Sequence, residues 1–270
     1  MSDLTYSRVQ SALTRLKLTE IASQLDRLAE QAAREQWTYL TFLEQLLEAE
    51  VLARVARDVA MKTKLAHFPF LKTLDQFEFA AQPSVNERHV RELATGRFVA
   101  HGENVLLLGP PGVGKTHLAV ALGVAAIAHG VSVYFLTVAE LLDMVQRDAK
   151  AGRLNLRLQT LCKPKLLILD EMGYFPLDQV AARFLFQLVS RRDTKGSMVI
   201  TSNKSYGEWG EVVADQVLAG AILDRLLHVS TTINIRGQSY RLREKRRAGV
   251  FHDLPAAGKE TADPLTDSPA

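Results

Sequence analysis

Asn104-Val-Leu-Leu-Leu-Gly-Pro-Pro-Gly-Val-Gly-Lys-Thr-His-Leu-Ala-Val-Ala-Leu-Gly123 decides the fold. Within it, Gly109 to Thr116 fits G-x-x-x-x-G-K-[ST], directly after an apolar run and directly before a helical one. Glycines let such a loop curl until successive backbone N–H groups face one point, and the N-terminus of the following helix adds partial positive charge there. The stretch is therefore read as a phosphate cradle built from Gly109, Pro110, Pro111, Gly112, Val113, Gly114, Lys115, Thr116 and His117. In this pattern Lys115 reaches the β- and γ-phosphates and Thr116 presents its hydroxyl to Mg²⁺. An ordinary Gly-Pro turn needs no Lys-Thr pair at that offset.

A second element is Leu166-Leu-Ile-Leu-Asp-Glu171, an apolar run ending in adjacent carboxylates. A strand alternates its side-chain directions, so the two acids are expected to diverge, Asp170 toward a metal ion and Glu171 toward an attacking water. Taken alone, the pair also reads as a solvated acidic turn. Met198-Val-Ile-Thr-Ser-Asn203 closes another apolar run with three polar side chains and sets Asn203 at a strand end beside the same site. Asn in such a place is most often a turn residue.

Around these motifs, short apolar runs alternate with helical stretches. Val105 to Leu108, Val131 to Leu136, Leu166 to Leu169, Met198 to Thr201 and Thr232 to Ile235 read as buried parallel strands. Gly114 to His129, Val138 to Ala151, Leu154 to Leu161, Asp178 to Arg192 and Ala219 to His228 read as helices, which gives an α/β three-layer sandwich with a parallel sheet. From Thr5 to Leu65, apolar residues recur mostly every three or four positions with no Gly or Pro. Two or three helices are expected there, with Thr19 and Thr38 as N-caps. Pro69 and Leu71 to Phe79 then mark a linker or a strand leading onward. The expected division is a small all-helical domain over 1–68, the α/β domain over 69–248, and a disordered tail over 249–270.

A chain of 270 residues, 47% of them apolar, can bury a substantial core. Its formal net charge of +3 permits nucleic-acid binding without requiring it. One cysteine, Cys162, excludes an intrachain disulfide and a cysteine-cluster zinc site, and reads as a small buried apolar residue in a reducing compartment. Leu118 to Ala128 is the longest apolar stretch and is too short to cross a bilayer. With no leader pattern at the N-terminus, a cytoplasmic location is expected.

The opening stretch, together with Leu166 to Tyr174 (LLILDEMGY), Thr201-Ser-Asn203, Ala221-Ile-Leu-Asp-Arg-Leu-Leu-His228 and Gly237-Gln-Ser-Tyr-Arg-Leu242, resembles AAA+ ATPases of the IstB/DnaC type, most closely the IstB transposition helpers. The resemblance runs from the N-terminal helices to about Arg247. It implies a P-loop NTPase of the AAA+ class that uses ATP and Mg²⁺. Gly109 to Thr116 would be its Walker A loop, Asp170 and Glu171 its Walker B pair, Thr116 and Asp170 the metal ligands, and Asn203 a sensor. It also implies an arginine finger at Arg225 that completes the site of a neighbouring subunit, hence homo-oligomers and a nearly inactive monomer. From the residues alone, Arg225 also reads as an intrahelix partner of Asp224 or Glu211, and Arg192 and Arg241 are substitute fingers. Two features depart from the family pattern. No aromatic residue follows the first arginine of Arg191-Arg-Asp-Thr-Lys-Gly196, and the chain leaves no room for a helical lid domain, so the adenine side is expected to be less enclosed.

Three basic groups are candidate DNA contacts: Arg54, Arg57 and Lys64, with Lys62 nearby; Arg147, Lys150, Arg153 and Arg157; and Arg241 to Arg247. Each alone also reads as a solvated face, and their coincidence with this ATPase type favours duplex DNA. The resulting reading is an ATP-dependent regulator of transposition that oligomerises on DNA and recruits a transposase. A DnaC-like loader of a replicative helicase is the alternative, although some loaders carry a zinc module that one cysteine cannot build. A small-molecule kinase fits less well, because phosphate transfer to a bound acceptor gains nothing from a water-activating Glu171.

Overall fold

The structure is a computed structural model and describes residues 3–213 and 215–240. The N-terminal periodicity forms three helices, α1 (Asp3–Arg15), α2 (Thr19–Glu35) and α3 (Tyr39–Leu65). Leu13, Ile21, Leu28 and Leu46 give them a small core of their own. Thr38 caps α3, its Oγ1 accepting from Thr41 N–H at 3.2 Å. Thr19 caps nothing. It lies inside α2, whose N-cap position is Leu18 and has no side-chain bond.

The unpaired N–H groups at the start of α2 go instead to Glu50 of α3. Its Oε2 accepts from Glu20 at 2.8 Å and Ile21 at 3.2 Å. A carboxylate is favoured at a helix N-terminus by the aligned peptide dipoles. Glu50 is buried, and Arg54 and Arg57 pair with it at 2.9 Å and 3.2 Å. Arg57 also donates to Thr19 Oγ1 at 3.2 Å. Burial raises the Glu50 pKa, but the bonds from Arg54, Ile21 and Glu20 outweigh it and hold the group below its ordinary 4.5.

After α3, Leu71 to Phe79 forms no strand. It folds into a 3-10 turn at Leu74–Gln76 and begins a second at Phe79–Ala81. Two short helices with weak apolar signals follow, α4 (Glu87–Ala94) and α5 (Arg97–Ala100). Then come β1 (Asn104–Leu108), α6 (Lys115–Ala128), β2 (Val133–Thr137), α7 (Val138–Lys150), α8 (Leu154–Leu161), β3 (Leu166–Met172), α9 (Gln179–Arg192), β4 (Ser197–Ser202), α10 (Trp209–Val213), α11 (Gln216–His228) and β5 (Ser230–Asn234). All five strands are parallel, in the order β2-β3-β4-β1-β5. Each strand differs from its expected bounds: β1 starts at Asn104, β2 at Val133 rather than Val131, β3 runs on to Met172, β4 gains Ser197 and Ser202, and β5 starts at Ser230 and ends before Ile235.

Alternate residues of each strand serve opposite faces of the sheet. Leu166 and Ile168 join one core with Val105, Leu118 and Leu122, while Leu167 and Leu169 join another with Leu185, Leu188 and Trp209. The foot of α3 enters the first core. Val59 and Phe68 pack there, Ala66 O accepts from Phe135 N–H at 2.8 Å, and Lys62 Nζ donates to Gly130 O at 2.7 Å.

Arg192 ends α9 with 2% exposure. Its guanidinium donates to the carbonyls of Leu161, Pro164, Lys165 and Ser197, and burial pushes its pKa down to about 10. It fastens α9 to the starts of β3 and β4, so it is excluded as a substitute finger. Cys162 is only partly buried, and burial raises its pKa. No helix among the described residues is long and apolar enough to cross a membrane. The expected tail over 249–270 and the cluster Arg241 to Arg247 lie outside the described residues.

Glu50→Ala is expected to lower the thermal midpoint and to lose helical signal from α2 first. Because the folded carboxyl titrates below 4.5, its contribution is complete above that value and is lost as pH falls through the depressed one. Circular dichroism melts at pH 7 and in acid check both points, and the variant should lack the acid-dependent part.

Candidate functional site

β1 ends at Leu108 between β4 and β5, and the loop that follows turns on glycines. Gly112 (φ 81°) and Gly114 (φ 99°) hold left-handed backbone that a side chain would strain. A Cβ on Gly114 would also stand 2.7 Å from Phe77 Cε2, and one on Gly112 would overlap Ser239. The loop is thus walled by the linker on one side and by the residues after β5 on the other. Tyr240 N–H donates to Gly112 O at 3.0 Å and closes that second wall.

Lys115 opens α6, with Gly114 at the N-cap. Its ammonium donates to Gly109 O at 2.6 Å and Pro110 O at 2.8 Å, inside the curl of the loop. Thr116 Oγ1 donates to Asp170, 2.9 Å from Oδ2 and 3.1 Å from Oδ1. Thr201 Oγ1 donates to Asp170 Oδ1 from the β4 side and accepts from Glu171 N–H at 3.0 Å. Asp170 is 3% exposed. The structure therefore brings Lys115, Thr116, Asp170 and Thr201 together across the ends of β1, β3 and β4.

Glu171 departs from the expected simple alternation. Leu169 pairs with Ile200 and Met172 with Ser202, so three steps on β3 oppose two on β4. At this bulge Glu171 takes φ 67°, a conformation costly for a residue with a side chain. Its side chain is exposed while Asp170 stays buried. The two acids diverge as expected, with the bulge at that point of the strand.

Asn203 follows β4 and packs against the chain after β3; a Cβ on Gly173 would stand 2.7 Å from its Oδ1. That Oδ1 is buried with no hydrogen-bond partner, a costly state outside a site that receives a donor. His117 turns away from the cradle. Its Nε2–H donates to Thr73 O at 3.0 Å, its ring meets Phe77 edge-on at 5.2 Å, and burial pushes its pKa down. Only its backbone belongs to the helix start.

Arg225 stands apart from this cluster. It donates to Ala221 O at 3.3 Å and lies 4.7 Å over the Phe186 ring, so it pairs with neither Asp224 nor Glu211. Four of the seven candidate DNA contacts hold buried carboxylates. Arg54 and Arg57 hold Glu50, and Arg157 and Arg153 hold Asp148 at 2.6 Å and 3.5 Å. The Arg157 bond keeps the Asp148 pKa below its ordinary value. Arg147 donates to Asp143 O, and Lys64 and Lys150 are exposed.

Sequence reasoning gave no role to Thr201, Phe77 or Tyr240. Thr201 was visible as the first polar residue closing an apolar strand. The other two act through contacts far apart in sequence.

The cluster fits a nucleotide with its metal. A threonine hydroxyl beside a carboxylate is an all-oxygen set of the kind hard cations take, and ammonium and N–H groups suit phosphate. Among the described residues no group of three or more His, Cys, Asp or Glu is placed to hold a metal by itself.

A model of the family described as IstB-like ATP binding protein matches residues 11–248. A Geobacillus stearothermophilus protein named for ATP binding in insertion sequence IS5376 is 48% identical over 239 residues, covering 88% of this chain and 95% of its own. A Pseudomonas aeruginosa counterpart from insertion sequence IS21 is also 48% identical over 239 residues, covering 88% and 90%. Among solved structures, AMPPCP-bound DnaA from Aquifex aeolicus gives a TM-score of 0.53 at 17% identity, over 70% of this chain and 58% of that one. This last likeness concerns the P-loop α/β fold alone.

Thr201→Val keeps the side-chain shape and removes both bonds to the β3 end. It is expected to cost about 2 kcal/mol in urea unfolding, and Mg²⁺ should then protect the protein less against unfolding in the presence of ATP.

Proposed function

The chain belongs to the IstB-like ATP binding protein family, and on that premise we propose that it is an AAA+ ATPase that assists DNA transposition. It binds Mg·ATP, assembles on duplex DNA as homo-oligomers with ATP sites between subunits, and engages a cognate transposase. The observation that carries the reading is the buried Asp170 carboxylate held by Thr116 and Thr201 beside a glycine loop that encloses Lys115. Both curated relatives are named for ATP binding in insertion sequences, which favours transposition over helicase loading.

Mg²⁺, when bound, would supply positive charge that offsets the charge of the phosphates. Backbone N–H groups of the loop and the Lys115 ammonium grip the phosphate oxygens, which are stronger acceptors for Nζ than the carbonyls of Gly109 and Pro110. Thr116 and Asp170 would hold the metal, and Thr201 keeps the carboxylate in place. Glu171, exposed at the bulge, accepts a proton from the attacking water. The unpartnered Oδ1 of Asn203 would accept a hydrogen bond from the O–H that the water keeps, and so aim it. Arg225 of the neighbouring subunit leaves its Phe186 face and neutralises charge on the transferring phosphoryl group. Lys64, Arg147 and Lys150, with the outer faces of Arg54, Arg57, Arg153 and Arg157, meet DNA phosphates.

Lys115→Ala should lose nucleotide binding in an equilibrium titration. Glu171→Gln should bind ATP, retain DNA longer than the parent and turn over at least about a hundredfold more slowly; failure to bind either ligand would remove its assigned role. Arg225→Ala should be inactive alone, and a mixture with Glu171→Gln should regain activity, because some mixed interfaces carry both intact groups. The parent rate per subunit should rise with DNA and with protein concentration, and a rate indifferent to both contradicts assembly on DNA. Pull-down with the transposase rather than a replicative helicase separates the two partner readings.

A further inference from the structure

Gln82 is 3% exposed, and its Oε1 is buried with no hydrogen-bond partner. Its backbone is fully used: the N–H donates to Phe79 O and the carbonyl accepts from Val85 N–H, each at 2.9 Å. A buried amide oxygen without a donor is costly unless a ligand brings one. Nε2 donates to Gln238 O at 3.5 Å, a long bond that still sets which way the amide faces, because turning it over would put two oxygens against each other.

The surroundings of Gln82 say what such a ligand atom belongs to. Ser84 Oγ accepts from Arg236 N–H at 2.8 Å and donates to Arg236 O at 3.0 Å, which clasps the chain before α4 to the chain after β5. A Cβ on Gly237 would stand 2.7 Å from Gln82 Oε1, so only glycine there leaves the amide its place. Three residues on, Tyr240 is bonded to the phosphate loop at Gly112. In the other direction, the Phe79 ring meets Phe77 at 4.8 Å, and Phe77 lies against Gly114. Asp170 of β3 and Asn203 after β4 stand on one side of β1, and β5 stands on the other. A triphosphate held in the loop with its γ end toward β3 and β4 leaves its nucleoside toward β5, where Gln82 lies.

We propose that Gln82 selects the base, reading the 6-amino edge of adenine and rejecting guanine; this rests on the loop binding a nucleoside triphosphate. Oε1 accepts from the exocyclic N–H, and the second N–H of Nε2 donates to the adjacent ring nitrogen, the pairing a glutamine amide makes with adenine. Guanine has an oxygen at that position and sets it against Oε1. The segment covering the amide, Arg236 to Gln238, is exposed, and Gly237 gives it the freedom to shift and admit the edge of a base.

Competition titrations on the full chain with Mg²⁺ compare four ligands: ATP, GTP, purine riboside triphosphate, which lacks the 6-amino group, and inorganic triphosphate, which has no base. The parent should bind ATP at least about tenfold more tightly than GTP or the purine analogue. Gln82→Met, close in length but without the amide, should bring both ratios near one. Inorganic triphosphate should bind that variant as it binds the parent, which establishes that the loop is intact; a merely structural role for Gln82 would weaken all four ligands together. Should Gln82→Met fail to fold, Gly237→Ala crowds Oε1 from the other side and should lower the same ratios. A parent that binds ATP and GTP alike overturns the proposal, and so does either variant if it binds inorganic triphosphate normally and keeps the parent's ratios. A parent that binds none of the four overturns instead the nucleotide binding on which the proposal rests.

Discussion

A carboxylate cannot be buried among strand ends unless its oxygens are met by donors. Asp170 satisfies this requirement with two threonines that come from different elements, one opening α6 and one closing β4. In the sheet, β4 stands between β3 and β1, so this one side chain ties the end of β3 to β4 and to the helix that follows β1. The position of Lys115 follows, because it precedes Thr116 on the same helical turn. The conformation of Glu171 follows as well, because Thr201 accepts the N–H of the residue that bulges out. A loop that binds phosphate and a strand end that manages water are held in register by the same hydroxyl–carboxylate contacts.

That arrangement explains what was legible in the sequence. Gly112 and Gly114 have left-handed backbone, and Lys115 and Thr116 follow at a fixed offset, so local chemistry wrote the loop into consecutive residues. The strands were legible because both their faces are covered, which turns Val105 to Leu108 and Leu166 to Leu169 into unbroken apolar runs. What escaped is non-local. Thr19 looks like a cap, but Glu50, thirty residues beyond Glu20, does the capping. Phe77 and Phe79 read as part of a linker or an entry strand, and neither reading shows that Phe77 lies against Gly114 and His117. The bulge at Glu171 depends on the β4 register, which no inspection of β3 alone reveals.

The basic residues show the same limit from another side. Arginine spacing on a helix suggests a surface for phosphates, but a buried carboxylate nearby has first claim on it. Arg54 lies four residues from Glu50 and Arg157 nine from Asp148, and in both cases the acid is almost wholly buried. The cations therefore stabilise the chain before they can serve any ligand. Arg54 and Arg57 remain about half exposed, so one guanidinium can anchor a helix and still present an edge outward.

The 27 residues of α3 make one unbroken rod about 40 Å long. At its foot Ala66 and Lys62 are bonded to the β2 strand and to the turn that precedes it, and no glycine or proline interrupts its length. Such a rod has no elbow. A tilt of about ten degrees at the foot displaces the far tip by about 7 Å, so a small adjustment beside the sheet is delivered at the tip as a stroke as wide as a side chain.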